Sequence, residues 1–109
     1  MIGGGYIGVE LAGVLSALDS EVTLVAREER VLKVFDPMIS ETLMDEMHKQ
    51  DIDVRLGFEV AGLARTDAGI GLDSVTGEHL DGFDSVIWAV GRSPNIGALD
   101  LSPSLTLPP

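Results

Sequence analysis

Gly3, Gly5 and Gly8 stand at the spacing G-x-G-x-x-G, directly before a stretch that turns helical at Tyr6. No other feature narrows the possible folds as much. Glycines so placed mean backbone at close quarters: the first for a tight turn at a strand end, the second for approach of a pyrophosphate, the third for close packing of helix on strand. A helix opening there aims free amides and the positive end of its dipole at one spot, which suits an anion. A plain glycine-rich turn, or a related loop for S-adenosylmethionine, has the same spelling, so the surroundings must decide.

Downstream, Ile7, Leu11, Val14, Leu15 and Leu18 recur at helical spacing, predicting one apolar face turned to the core. Asp19-Ser20 breaks the pattern, and Glu21 to Ala26 reads as a short buried strand, at the distance from the glycines that a nucleotide-binding unit requires. A polar loop, Arg27 to Lys33, follows. Asp36-Pro37 is a helix start, since Asp caps free amides and Pro at the first helical position loses nothing. That helix continues through Ile39, Leu43, Met44 and Met47 to Gln50. Ile52 to Leu56 is a second strand. Val60 to Val75 reads as an antiparallel meander, with turns at Asp67-Ala68-Gly69 and Thr76-Gly77. Ser85 to Val90 is nearly all apolar, predicting a last strand buried on both faces with Trp88 in the core. Beyond Asn95 the tail reads as irregular.

Strand, helix, strand, helix, strand implies right-handed crossovers and a parallel sheet. The predicted fold is α/β, a Rossmann-like parallel sheet with two helices and an antiparallel meander as an excursion. Only Met1 and Ile2 precede the glycines, where a strand of about five residues is usual. The first, central strand is therefore expected to be truncated, or completed by a neighbouring chain.

Composition removes several classes of function. The formal net charge of −11 disfavours a nucleic-acid partner, which demands a basic face. No apolar run is long enough to span a membrane, no secretory leader is visible, and the expected compartment is cytoplasmic. Cysteine is absent, which removes disulfides, thiolate metal sites and thiol chemistry from these 109 residues; no metal site is expected. His48 and His79 are expected on the surface, His79 in a turn region.

A unit that binds NAD ends its second strand with an acidic residue for the ribose 2′-hydroxyl. Here that place holds Ala26, followed at once by Arg27, with Lys33 across the loop. Arg27, Arg30 and Lys33 are three of the chain's seven basic residues, gathered in one short loop of an acidic protein. Arg27 and Lys33 are the candidates for a 2′-phosphate, hence NADPH over NADH. Arg30 is expected to pair with a neighbouring glutamate, and Glu28 and Glu29 dilute the positive field. Without those acids the loop is strongly cationic; with them it also reads as a solvated surface.

Three blocks carry a family resemblance: Gly3 to Gly13, Phe35 to Leu43, and Ile87 to Asn95. In this order and spacing they resemble the NADPH domain of glutathione reductases, within the wider family of flavin-dependent pyridine nucleotide-disulfide oxidoreductases. The resemblance implies a nicotinamide-nucleotide domain over residues 1–95. It makes 96–109 an exit segment toward FAD and dimerisation domains lying elsewhere. Gly4 and Ile7 would line the pyrophosphate and ribose, with Gly3, Gly5 and Gly8 as the glycines of the cofactor-binding turn. Tyr6 would cover the nicotinamide pocket and swing aside, Glu10 would pair with a lysine of the FAD domain, and Gly91 would approach the nicotinamide end. Arg92 would fix the loop or domain boundary. The parent enzyme would be a homodimer passing hydride from NADPH to FAD to reduce glutathione disulfide. No catalytic residue lies within the chain, and alone it is expected to reduce nothing. Lys33 stands where the family often has arginine, which softens the expected NADP preference. An NAD-dependent dihydrolipoamide dehydrogenase, or a stand-alone nucleotide-binding module without catalysis, remain the other readings.

Overall fold

A computed structural model describes residues 1–100. Helix α1 spans Tyr6–Ala17, strand β1 Thr23–Val25, helix α2 Pro37–Lys49 and strand β2 Asp53–Arg55. Strands β3 (Val60–Thr66), β4 (Gly69–Ser74) and β5 (His79–Phe83) follow, and a short 3-10 turn spans Gly97–Leu99. Of the exit segment expected over 96–109, residues 101–109 lie outside the described part.

β1 and β2 pair in parallel with Leu24 opposite Val54. Ile2 sits between β1 and the last extended segment, bridging Val25 and Trp88, both in parallel sense. The order across the sheet is thus Trp88, Ile2, β1, β2, with the first strand reduced to one bridged residue. The Met1 ammonium donates to the Thr23 carbonyl at 2.8 Å, and the Val25 amide donates to Met1 at 2.9 Å.

Alternation along β1 sends Leu24 and Val25 to opposite faces. Leu24 joins Ala12, Val22, Ala26, Val31, Met47 and Ile52 in a buried cluster beneath both helices. Val25 joins Ile2, Phe58 and Leu72 beneath the antiparallel sheet β3-β4-β5. The molecule is three layers: helices, short parallel sheet, meander. A side chain as fully buried as Leu24 contributes about 1.5–3 kcal/mol.

Three expectations require correction. The buried face of α1 is not Ile7-Leu11-Val14-Leu15-Leu18. Gly8 and Ala12 are buried and Val9 and Leu15 pack on the core, while Leu11, Val14 and Leu18 are exposed. The helix starts so close to the sheet that only the smallest residues fit between them. Ser85 to Val90 is not a strand buried on both faces, and Trp88 is not core but 56% exposed. The segment lies at the sheet edge, held by Ile2 N–H to the Ile87 carbonyl and Ala89 N–H to the Ile2 carbonyl, each at 2.8 Å. Nothing among the described residues covers its outer side. On α2, Asp36 caps as expected, accepting from the Met38 amide at 2.9 Å. Yet Ile39 is exposed, and Ser40 is the buried residue.

Ser40 is buried because it has work to do for the loop before the helix. Its hydroxyl donates to the Val31 carbonyl at 2.7 Å, and lies 3.4 Å from that of Leu32. Leu32 has a left-handed backbone (φ 51°), and its amide donates to the Gly4 carbonyl at 2.7 Å. Loop 27–33 is thereby fastened both to α2 and to the glycine turn. Ser40→Ala is expected to lower the unfolding free energy by about 1–3 kcal/mol, the cost of a buried acceptor losing its donor, measured by urea denaturation.

His79, which opens β5 instead of lying in a turn, forms an exposed clasp on the meander. Its Nδ1 lies 2.6 Å from Asp73 of β4 and its Nε2 3.4 Å from Asp81, whose other oxygen accepts from the Thr66 hydroxyl of β3 at 2.6 Å. The hydrogen bonds to Asp73 and then Asp81 raise the His79 pKa above its ordinary 6.5. The Thr66 hydroxyl and the Gly82 amide lower that of Asp81 below 3.8. A raised folded pKa means that the His79 contribution is complete below pH 6.5 and fades as pH climbs through the raised value. His79→Gln should therefore lose stability at pH 5.5 relative to the parent and converge with it near pH 9, in urea midpoints taken across that range.

Candidate functional site

The parallel strands end at a cleft of about 530 Å³. Its walls come from the glycine turn, the loop after β1, Phe58 to Val60, and the segment Trp88 to Arg92. Ligands of open α/β sheets bind in such a place, outside the carboxyl ends of the strands.

The glycines divide their tasks by geometry. Gly3 has φ 127°, a conformation that side chains rarely adopt, and a Cβ there would run into the Ala89 carbonyl. A Cβ on Gly8 would run into the Gly3 carbonyl. Both are dictated by the chain's own packing. Gly5 is different: its φ is −76°, and a Cβ would meet nothing within 4 Å. No protein atom asks for glycine at this position, which lines the cleft and precedes α1. A group approaching from outside would ask for it. The helix offers no side-chain cap and no acidic residue in its first turn, so its opening amides are suited to an anion. The residues present fit a dinucleotide pyrophosphate.

Of the residues singled out by sequence, Gly3, Gly4, Gly5, Tyr6, Ile7, Arg27, Lys33 and Gly91 all line the cleft. Gly8 is buried beneath it, and Glu10 is exposed on α1 outside the lining. Tyr6 is 45% exposed, and the Arg92 guanidinium sits 5.7 Å from its ring centroid, within cation–π range. Gly91 has φ 153°, again a backbone favouring glycine.

Sequence reasoning did not find Ser40, Leu32 or Phe58, whose roles depend on contacts distant in sequence. Phe58 is 2% exposed, and its amide donates to the Ala26 carbonyl at 2.9 Å, closing the wall below Arg27. The ion pairing also falls differently from expectation. Arg27, not Arg30, pairs with a glutamate: its Nε donates to Glu28 Oε1 at 3.1 Å. Arg30 gives Nη2 to the Lys33 carbonyl at 3.0 Å, while its Nε is buried with no hydrogen-bond partner among the described residues. Lys33 is exposed and makes no ion pair among the described residues.

The lining holds Arg27, Arg30, Lys33 and Arg92 against Glu28 and Glu59. In a chain of net charge −11 this is a local reversal of sign, and an anionic ligand is drawn to it. Among the described residues no group of three His, Cys, Asp or Glu could hold a metal, and no helix is long and apolar enough to cross a membrane.

The comparisons with known proteins agree with this architecture. Residues 1–106 match the family model described as pyridine nucleotide-disulphide oxidoreductase. A glutathione reductase of Yarrowia lipolytica is 45% identical over 107 residues, covering 93% of this chain; the chain spans 22% of that relative's length. Among solved structures, the water-forming NADH oxidase of Lactobacillus brevis, bound to NADH, superposes with a TM-score of 0.81 at 27% identity, covering 94% of this chain and 23% of that one. Its engineered water-forming NADPH oxidase derivative, bound to NADPH, gives 0.80 at the same identity and coverage. The glycine turn, the parallel sheet and a family match running through nearly all of the sequence lead to one assignment: this chain belongs to the pyridine nucleotide-disulphide oxidoreductases.

Proposed function

We propose that the chain is the NADPH-binding part of a flavin-dependent glutathione-disulfide reductase. The observation that carries the reading is the end of β1. Ala26 leaves no carboxylate for a ribose hydroxyl, and Arg27 and Lys33 stand in the same cleft as the glycine turn. Fold alone does not choose between cofactors, since an NADH oxidase and an NADPH oxidase superpose equally well.

The engineered oxidase supplies an independent comparison. There an aspartate became alanine, the alanine after it arginine, the methionine next to that serine, and a proline six positions beyond the new arginine became arginine as well. Ala26, Arg27 and Lys33 reproduce that spacing, with Glu28 in place of the serine. A further exchange there, glycine to alanine, falls eighteen positions before the new alanine, the spacing of Gly8 from Ala26. Here that residue remains glycine, pressed against the Gly3 carbonyl.

Gly3, Gly4, Gly5 and Ile7 would hold pyrophosphate and ribose, and Arg27 and Lys33 the 2′-phosphate. Tyr6 would cover the nicotinamide pocket, with Gly91 at the nicotinamide end and Glu10 turned toward a flavin domain. Bound there, a reduced nicotinamide would supply a hydride to FAD in the parent enzyme, and the electron pair would then reduce a disulfide to two thiols. This chain grips and orients; with no cysteine, its 109 residues reduce no glutathione disulfide on their own, and a turnover assay checks that. A homodimeric, cytoplasmic parent is part of the same proposal, on the family resemblance.

Titration with the two reduced nucleotides is the test. NADPH should bind at least roughly tenfold more tightly than NADH, as expected of one well-placed charged hydrogen bond. Arg27→Ala should remove most of that difference while leaving NADH nearly unchanged. NADH binding as tightly as NADPH would reject the proposal.

A further inference from the structure

We infer that Glu28 is a specificity-determining residue, a built-in competitor that holds Arg27 when no phosphate is present and repels the phosphate when one arrives. The inference rests on the NADPH reading above and deepens it. Glu28 and Arg27 both line the cleft, and the Arg27 Nε donates to Glu28 Oε1 at 3.1 Å.

The two partners are not equally placed. Glu28 is anchored: the Gly57 amide donates to its carbonyl at 3.0 Å, continuing the ladder begun by Ala26 N–H to the Arg55 carbonyl and Phe58 N–H to the Ala26 carbonyl. Its side chain is 29% exposed, whereas that of Arg27 is 73% exposed. Arg27 has room to turn toward a ligand; Glu28 stays at the wall. An exposed ion pair of this kind is weak, so it does not prevent a dianionic phosphate from taking the guanidinium. It subtracts from the gain, first as the rival acceptor and then as a like charge beside the bound phosphate.

No other carboxylate is in this position. Arg30 is engaged by the Lys33 carbonyl, and Lys33 has no acidic partner among the described residues. Glu59 lines the cleft but makes no ion pair there. Nicotinamide adenine dinucleotide without the 2′-phosphate has nothing for Glu28 to repel at this spot, so the effect is confined to the phosphorylated coenzyme.

The test is Glu28→Gln in the full chain, titrated with NADPH and NADH beside the parent and Arg27→Ala. The expected result is an NADPH dissociation constant lowered about three- to fivefold, with that for NADH within about twofold of the parent. A residue with a merely structural role would not produce tighter binding of one nucleotide alone. NADPH affinity unchanged or weakened by Glu28→Gln, with Arg27→Ala still costing NADPH affinity, overturns the inference and leaves the phosphate reading standing. Arg27→Ala without effect on NADPH removes both.

Discussion

The close approach of α1 to the sheet governs the rest of the molecule. Because Gly8 lies against the Gly3 carbonyl with no room for a Cβ, the helix begins almost on top of the strand end. That closeness decides which residues of α1 are inside, since Ala12 fits where leucine would not. It also brings the opening amides of the helix to the mouth of the cleft. The Leu32 amide, bonded to the Gly4 carbonyl at 2.7 Å, then ties the basic loop to the same turn. The position of the opening amides and that of the cations are thus set by one piece of backbone.

Under the proposed function this arrangement would separate two duties that nicotinamide nucleotides place on a protein. What NADH and NADPH share, the pyrophosphate and its flanking riboses, would face backbone and a helix end, which side-chain replacement changes little. What distinguishes them would face the loop after β1, where Arg27 and Lys33 are exposed. The nearly equal superposition on an NADH oxidase and on its NADPH-binding derivative is in keeping with such a separation, since those two proteins differ by a few side chains and match this fold equally well.

Much of this was legible in the sequence because the relevant signals are local. Asp36-Pro37 announces a helix start by its own chemistry, the glycine turn needs particular residues at fixed offsets, and the meander is written in its turns. What was not legible depends on contacts between distant segments. Leu11, Val14 and Leu18 have the periodicity of a buried face, but the close packing announced by the third glycine of the motif prevails over that periodicity, and Gly8 and Ala12 are the buried residues. Trp88 reads as core by its apolar neighbours, yet it occupies a sheet edge that no described residue covers. Ser40 stands among polar and apolar neighbours of α2 with nothing local to mark it; its bond to the Val31 carbonyl gives it a role. In the candidate site the residue types were readable, and the pairing among them was not, because Arg27 and Arg30 each have glutamates in reach along the chain and only the fold sends Arg30 to a carbonyl.

The engagement of Arg30 has its own consequence for electrostatics. By bonding the Lys33 carbonyl, it spends its charge on shaping the loop while still contributing positive potential to the cleft. Lys33 is left to meet solvent, a point charge on a flexible stem without arginine's planar fork. Arg30 and Ser40 both hold the backbone there, one through the Lys33 carbonyl and the other through those of Val31 and Leu32. Under the proposed function, a lysine at this corner would meet the 2′-phosphate from a backbone already held at Val31, Leu32 and Lys33.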